Sequence, residues 1–114
     1  MKIIDQQISL NELKKMAASM FGDLIKAVVD IEKNIMAVDA ELHADEEAYL
    51  IENNSKQKDL WGINLYPEFY NTDDFIEFDS MINLRPSQNN RSRDVEDKEI
   101  QEKIKKIINQ IVVK

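Results

Sequence analysis

Twice between Ile25 and Leu42 apolar and polar residues alternate, and the two runs meet at Lys33-Asn34. No other pattern constrains the chain as much, because alternation places successive side chains on opposite faces of a strand. Lys33-Asn34 reads as a two-residue turn, since Asn tolerates a positive φ. Pairing Glu32 with Ile35 sets Ile31 opposite Met36, Val29 opposite Val38 and Ala27 opposite Ala40. One face of this hairpin is then apolar throughout, and the other carries Asp30, Glu32, Asp39 and Glu41. A slip of one residue would mix the two faces, so the pattern selects the register.

The flanking segments supply what must cover that apolar face. Ser9 and Glu12 form an S-x-x-E capping box ahead of Leu13, Met16, Ala17, Met20 and Phe21, which follow helical spacing and stop at Gly22. His43 to Asn53 reads as a second helix, with Asp45, Glu46 and Glu47 in its first turn, where the helix dipole favours negative charge. A third begins near Asp94 or Asp97 and carries Ile100, Ile104, Ile107, Ile108 and Ile111. Leu60 to Tyr66 is a strand closed by Pro67, with Trp61, Ile63 and Leu65 on one face. Phe75 to Leu84 alternates as another, and Lys2 to Ile4 is a weaker candidate. Strands with one apolar and one polar face suit an antiparallel sheet. The expected fold is therefore α+β: a two-layer, mainly antiparallel four-stranded sheet packed against three helices, in the order α-ββ-α-ββ-α, as a single domain over residues 1–114.

Composition excludes several function classes. The formal charge of −7 opposes general nucleic-acid binding, which rests on neutralising phosphates with cations. Without cysteine there is no disulfide framework and no thiolate metal site. No apolar run approaches the ~20 residues of a membrane span, and the N-terminus lacks the apolar core of a signal peptide. The expected setting is cytoplasmic.

The acid excess lies in the first half of the chain, whereas all three arginines fall within nine residues, at Arg85, Arg91 and Arg93. Guanidinium groups match carboxylate and phosphate with a planar fork of donors. Ser87, Gln88, Asn89, Asn90 and Ser92 add neutral polar groups, and the last helix follows directly. An anion site built from Arg85, Ser87, Asn89, Asn90, Arg91 and Arg93 is the leading candidate; the competing reading pairs these arginines with the protein's own acids. Strand parity puts Glu77 and Asp79 on the polar face, where carboxylates could hold Mg²⁺ or Mn²⁺ beside Arg85; the competing reading is a solvated surface, and no metal ligand set is assigned. His43, the single histidine, stands among Glu41, Asp45, Glu46 and Glu47, suited to acid–base work or to a surface role. No signature names a cofactor.

Three longer stretches, KAVVDIEKNIMAVDAELHADEE (26–47), DLWGINLYPE (59–68) and FIEFDSMINLRPSQNNRSRDVED (75–97), together resemble a family of small prokaryotic proteins catalogued as a domain of unknown function. That resemblance implies no reaction, substrate or catalytic residue. Two function classes fit the residues. One is a binding or interaction module, working as a homodimer or with a protein partner and taking a small anionic ligand through the arginine loop. The other is a small enzyme on a phosphorylated or nucleotide substrate, with or without a divalent metal.

Overall fold

The computed structural model describes all of residues 1–114. It is α+β, with three helices and a mainly antiparallel five-stranded sheet. The strands are β1 (Lys2–Ile4), β2 (Ile8–Ser9), β3 (Ile25–Asp30), β4 (Ile35–Val38), β5 (Leu60–Leu65), β6 (Ile76–Glu77) and β7 (Val112–Val113), and the helices α1 (Leu10–Ser19), α2 (His43–Glu52) and α3 (Lys98–Ile111). The main sheet has the order β1-β4-β3-β5-β6; β2 and β7 form a separate parallel pair that ties the two ends of the chain together. No helix is long and apolar enough to cross a membrane.

Local chemistry explains where the helices begin. Ser9 Oγ accepts from the Glu12 amide at 3.1 Å and starts α1; Asp97 accepts from the Glu99 amide at 2.9 Å and starts α3. Gly22, at φ 96°, returns its N–H to the Ala17 carbonyl and ends the first helical segment. The apolar faces of α1 and α3 then meet Ala27, Val29, Met36, Val38, Trp61, Ile63 and Leu65 in one core. Burial of such side chains contributes about 1.5–3 kcal/mol each, so this interface is the main source of stability.

The structure corrects four expectations. The hairpin register is shifted by two residues, with Val29 opposite Met36 and Asp30 opposite Ile35. Its turn therefore holds four residues instead of two. The cause is Asp30, whose Oδ1 accepts from the amides of Glu32 and Lys33, both at 2.9 Å, while Asn34 takes φ 59°. A shift of two preserves both faces, so the apolar face is unchanged. The sheet has five strands, not four, because Lys2–Ile4 pairs with β4.

The layering differs as well. The molecule has three layers, since α2 covers the opposite sheet face over a second small core of Val28, Ala37, Leu50 and Leu60. Val28, Ala37 and Leu60 are its buried strand residues, with Ile3 and Ile35 partly buried beside them, a row too scattered along the chain to stand out in the sequence. Lastly, the strand expected over Phe75–Leu84 pairs only at Ile76–Glu77. Ser80 caps a tight turn over Met81–Asn83, and the side chains of Asn83 and Arg85 complete the β5 edge in place of backbone. Asn83 accepts from the Gly62 amide at 2.8 Å and donates to the Gly62 carbonyl at 3.0 Å; Arg85 donates to the Leu60 and Gln57 carbonyls.

Glu46 lies within the α2 layer. It is fully buried and neither carboxyl oxygen closes a hydrogen bond. Burial pushes its pKa up to about 9; the Ala40 amide and Lys26 act in the opposite direction and Asp39 adds to the rise. The group is thus a neutral acid at pH 7.

This packing can be tested at Glu46, Gly62 and Asn83. A folded-state pKa raised above the unfolded value of 4.5 supports folding most below pH 4.5, and that support is lost as pH rises towards about 9. Glu46→Gln removes the titration. Denaturant unfolding should show the variant gaining on the parent as pH rises from 5 to 9, by on the order of a few kcal/mol; a gap that stays constant with pH would show that Glu46 does not titrate in this range. At Gly62 a Cβ would lie 2.6 Å from the Ser80 side chain, so Gly62→Ala should cost about 1–3 kcal/mol by overpacking. Asn83→Ala, which strands both Gly62 backbone groups, should cost at least as much.

Candidate functional site

The end of the sheet left uncovered by α2 carries a polar row across three strands. Lys26 on β3 stands opposite Asn64 on β5, and Asn64 stands opposite Glu77 on β6. Asn64 Nδ2 donates to Glu77 Oε1 at 2.9 Å and to the Asp79 carbonyl at 3.3 Å, and the Tyr66 hydroxyl donates to the same Glu77 oxygen at 3.0 Å. Burial and this carboxylate both push the Tyr66 hydroxyl pKa up. One step further, Arg93 Nε donates to Asp79 Oδ1 at 2.6 Å.

His43 closes this group from above, as the first residue of α2. Only 8 % of its surface is exposed, and Nε2 lies 2.7 Å from the Ile63 carbonyl. A carbonyl can only accept, so the neutral ring carries its proton on Nε2. Burial pushes the His43 pKa down; the Ile63 bond and Asp79 act against this, and Lys26 and Arg93 reinforce it. The imidazole is therefore neutral at pH 7, with Nδ1 unpartnered by the protein.

Beside His43 opens a cleft of about 170 Å³, lined by Lys26, Leu42, His43, Ala44, Ser80, Met81, Ile82 and Arg93. No carboxylate lines it. Helix α2 begins at this cleft without a side-chain cap, because Leu42 occupies the N-cap position. The amides of Asp45 and Glu46 both turn back to the Leu42 carbonyl, while those of His43 and Ala44 find no acceptor in the protein. The first turn thus leaves two donors at the positive end of the helix dipole. Lys26 forms no ion pair; its ammonium sits 5.2 Å from the Phe21 ring centroid.

The residues singled out by sequence separate into three groups. His43, Glu77, Asp79 and Arg93 lie along this face, linked through Asn64 and the Arg93–Asp79 pair. Arg85 and Asn90 are buried and hold the loop together. The Arg85 guanidinium lies 4.3 Å from the Trp61 ring centroid and donates to two backbone carbonyls, and burial pushes its pKa down, with Glu47 partly offsetting. Asn90 donates to the carbonyls of Asn83, Ser92 and Asp94 and accepts from the Glu96 amide. Ser87, Asn89 and Arg91 are exposed, and their side chains make no hydrogen bond within the protein. The three guanidinium groups therefore serve different surroundings.

Sequence reasoning missed Lys26 and Ser80. Lys26 sits opposite Asn64 in the strand pattern, and the absence of a capping residue before His43 is visible in Glu41-Leu42-His43. Those two signals together could have pointed to the cleft. No three His, Asp or Glu side chains converge as a metal-binding group.

Comparison with known proteins gives one match. No curated protein and no solved structure matches the chain. The sequence profile of a family described as a protein of unknown function, DUF5674, matches residues 2–111, and the chain belongs to that family.

Proposed function

We propose that this protein is a binding module whose cleft at the start of α2 takes a small oxyanion. The observation that carries this reading is the uncapped helix terminus: the unpaired amides of His43 and Ala44 share one cleft with the side chains of Lys26 and Arg93. Backbone donors at a helix N-terminus, with the dipole behind them, bind anions without further specialisation. Charge-assisted donation from Lys26 and Arg93 adds to this. No carboxylate lines the cleft itself; Asp79, outside it, takes only the Nε of Arg93.

This reading moves the anion site away from the tip of the arginine loop. Of the loop residues, Arg93 contributes to binding, Arg85 and Asn90 keep the loop closed, and Ser87, Asn89 and Arg91 stand outside. Asp79 and Glu77 act indirectly: Asp79 orients Arg93, and Glu77 orients Asn64 and Tyr66. His43 shapes the wall and stays neutral, so it adds no charge to those of Lys26 and Arg93.

The test is calorimetric titration of acetate, phosphate and sulfate into the protein at pH 7 and low ionic strength, where exposed charge is least screened. Lys26→Ala and Arg93→Ala should each weaken binding by about tenfold, equivalent to ~1.4 kcal/mol, and Arg91→Ala should leave it unchanged. An Arg91→Ala effect as large as that of Arg93→Ala would return the site to the exposed loop. No heat or melting shift with any of the three anions would remove the proposal altogether.

A further inference from the structure

The main sheet ends at β6, the last strand in the order β1-β4-β3-β5-β6. Alternate residues of this segment turn inwards. The Tyr66 amide donates to the Phe75 carbonyl at 2.9 Å, Glu77 pairs with Asn64, and Asn64 Nδ2 donates to the Asp79 carbonyl. The N–H and C=O of Ile76 and Phe78 therefore face away from β5. No loop backbone and no side chain of the protein bonds to them. The β5 edge is treated differently, since the side chains of Asn83 and Arg85 occupy its free groups. The outer edge of β6 is left open.

Two clefts flank this edge, and Asp73 and Ile76 line both. One, of about 300 Å³, lies on the side of the polar row, between the rings of Tyr66 and Phe69 and the carboxylates of Asp73, Asp74 and Glu77. The two ring centroids are 6.4 Å apart, and Phe69 is 48 % exposed. None of these carboxylates takes part in an ion pair. Glu77 accepts only from the neutral groups of Asn64 and Tyr66. The other cleft, of about 240 Å³, lies on the side of α3, against Asn71, Lys105 and Asn109. Its one cation, Lys105, is turned to Glu102 at 3.5 Å.

We propose that the open edge of β6 docks an extended, basic segment of a partner protein, which joins the sheet as an added strand. Main-chain bonds to Ile76 and Phe78 fix its register, and its alternate side chains fall to opposite sides, one set into each cleft. A Lys or Arg side chain fits the first cleft, where aromatic faces and unpaired carboxylates attract the same cation. A second copy of this chain is a poor occupant. Edge-to-edge pairing would bring two sets of Asp73, Asp74 and Glu77 together on chains of net charge −7. The acids that oppose self-pairing thus select a basic partner. Neither cleft shares a lining residue with the one at the start of α2, so this site stands independently of the anion-binding reading.

The experiment titrates the whole protein with a synthetic peptide of alternating valine and lysine, its valine–glutamate counterpart, and a copy of the lysine peptide N-methylated along its edge-facing amides. The lysine peptide should bind, the other two at least about tenfold more weakly. Its binding should slow hydrogen exchange at the Ile76 and Phe78 amides by about tenfold or more. The double variant Asp73→Lys, Asp74→Lys, at two exposed positions, should reverse the preference towards the glutamate peptide. Undiminished binding of the N-methylated peptide would overturn the proposal, because charge alone would then account for it. Binding that leaves exchange at Ile76 and Phe78 unchanged would do the same, as would no binding of any peptide. A dimer in light scattering, with both amides protected before peptide is added, would give the edge to a second copy and overturn it as well.

Discussion

The architecture depends on how the β5 edge is finished. A strand at that position needs donors and acceptors for its outward backbone groups. Beyond Asn64 the protein supplies them from side chains: the Asn83 amide pairs with both polar groups of Gly62, and the Arg85 guanidinium reaches Leu60 and Gln57. Because no backbone strand continues there, the segment after Glu77 is free to turn at Ser80. It crosses close to Gly62 and carries Arg93 back towards Asp79, with the Ser80 amide bonded to the Arg93 carbonyl. The absence of a side chain at Gly62 permits this approach. One wall of the cleft is thus a by-product of ending a sheet with an asparagine and an arginine.

The other wall comes from α2, and here stability and polarity are opposed. The helix buries Leu50 against Val28, Ala37 and Leu60, a small apolar contact. On the same side it buries Glu46 without a hydrogen-bond partner and His43 with one. Burying a carboxyl in its charged form would cost several kcal/mol, so the group keeps its proton instead. The large core beneath α1 and α3 offsets this cost. That division, one well-packed apolar face and one polar, thinly packed face, locates the cleft on the less stable side of the sheet.

Much of this was readable from residue order. The hairpin faces, the capping of α1 by Ser9, the start of α3 at Asp94 or Asp97, the isoleucine stripe of α3 and the inward face of β5 all follow from local periodicity and cap chemistry; the structure selects Asp97. The register shift in the hairpin did not, since Ile31-Glu32 in a turn and Ile31-Glu32 in a strand give the same alternation. Nor did the end of β6: Phe78, Ser80, Ile82 and Leu84 alternate as a strand would, yet Phe78 packs on the large core and Ile82 on the small one. Among the candidate site residues, all three arginines look alike in sequence. Only packing separates Arg85 on Trp61 from Arg93 on Asp79 and from Arg91 in solvent.

Residue order alone carried the three helices, the hairpin, β5 and most of the main core, because helical and strand periodicities are properties of neighbouring residues. Tertiary structure alone decided that α2 lies on the far face of the sheet, that Glu46 is shut away from water, and that Lys26, His43 and Arg93 share a cleft. Those outcomes depend on contacts between residues 10 to 67 positions apart, whose energies come from burial and from unsatisfied backbone groups. Neither quantity has a value until the chain has closed on itself.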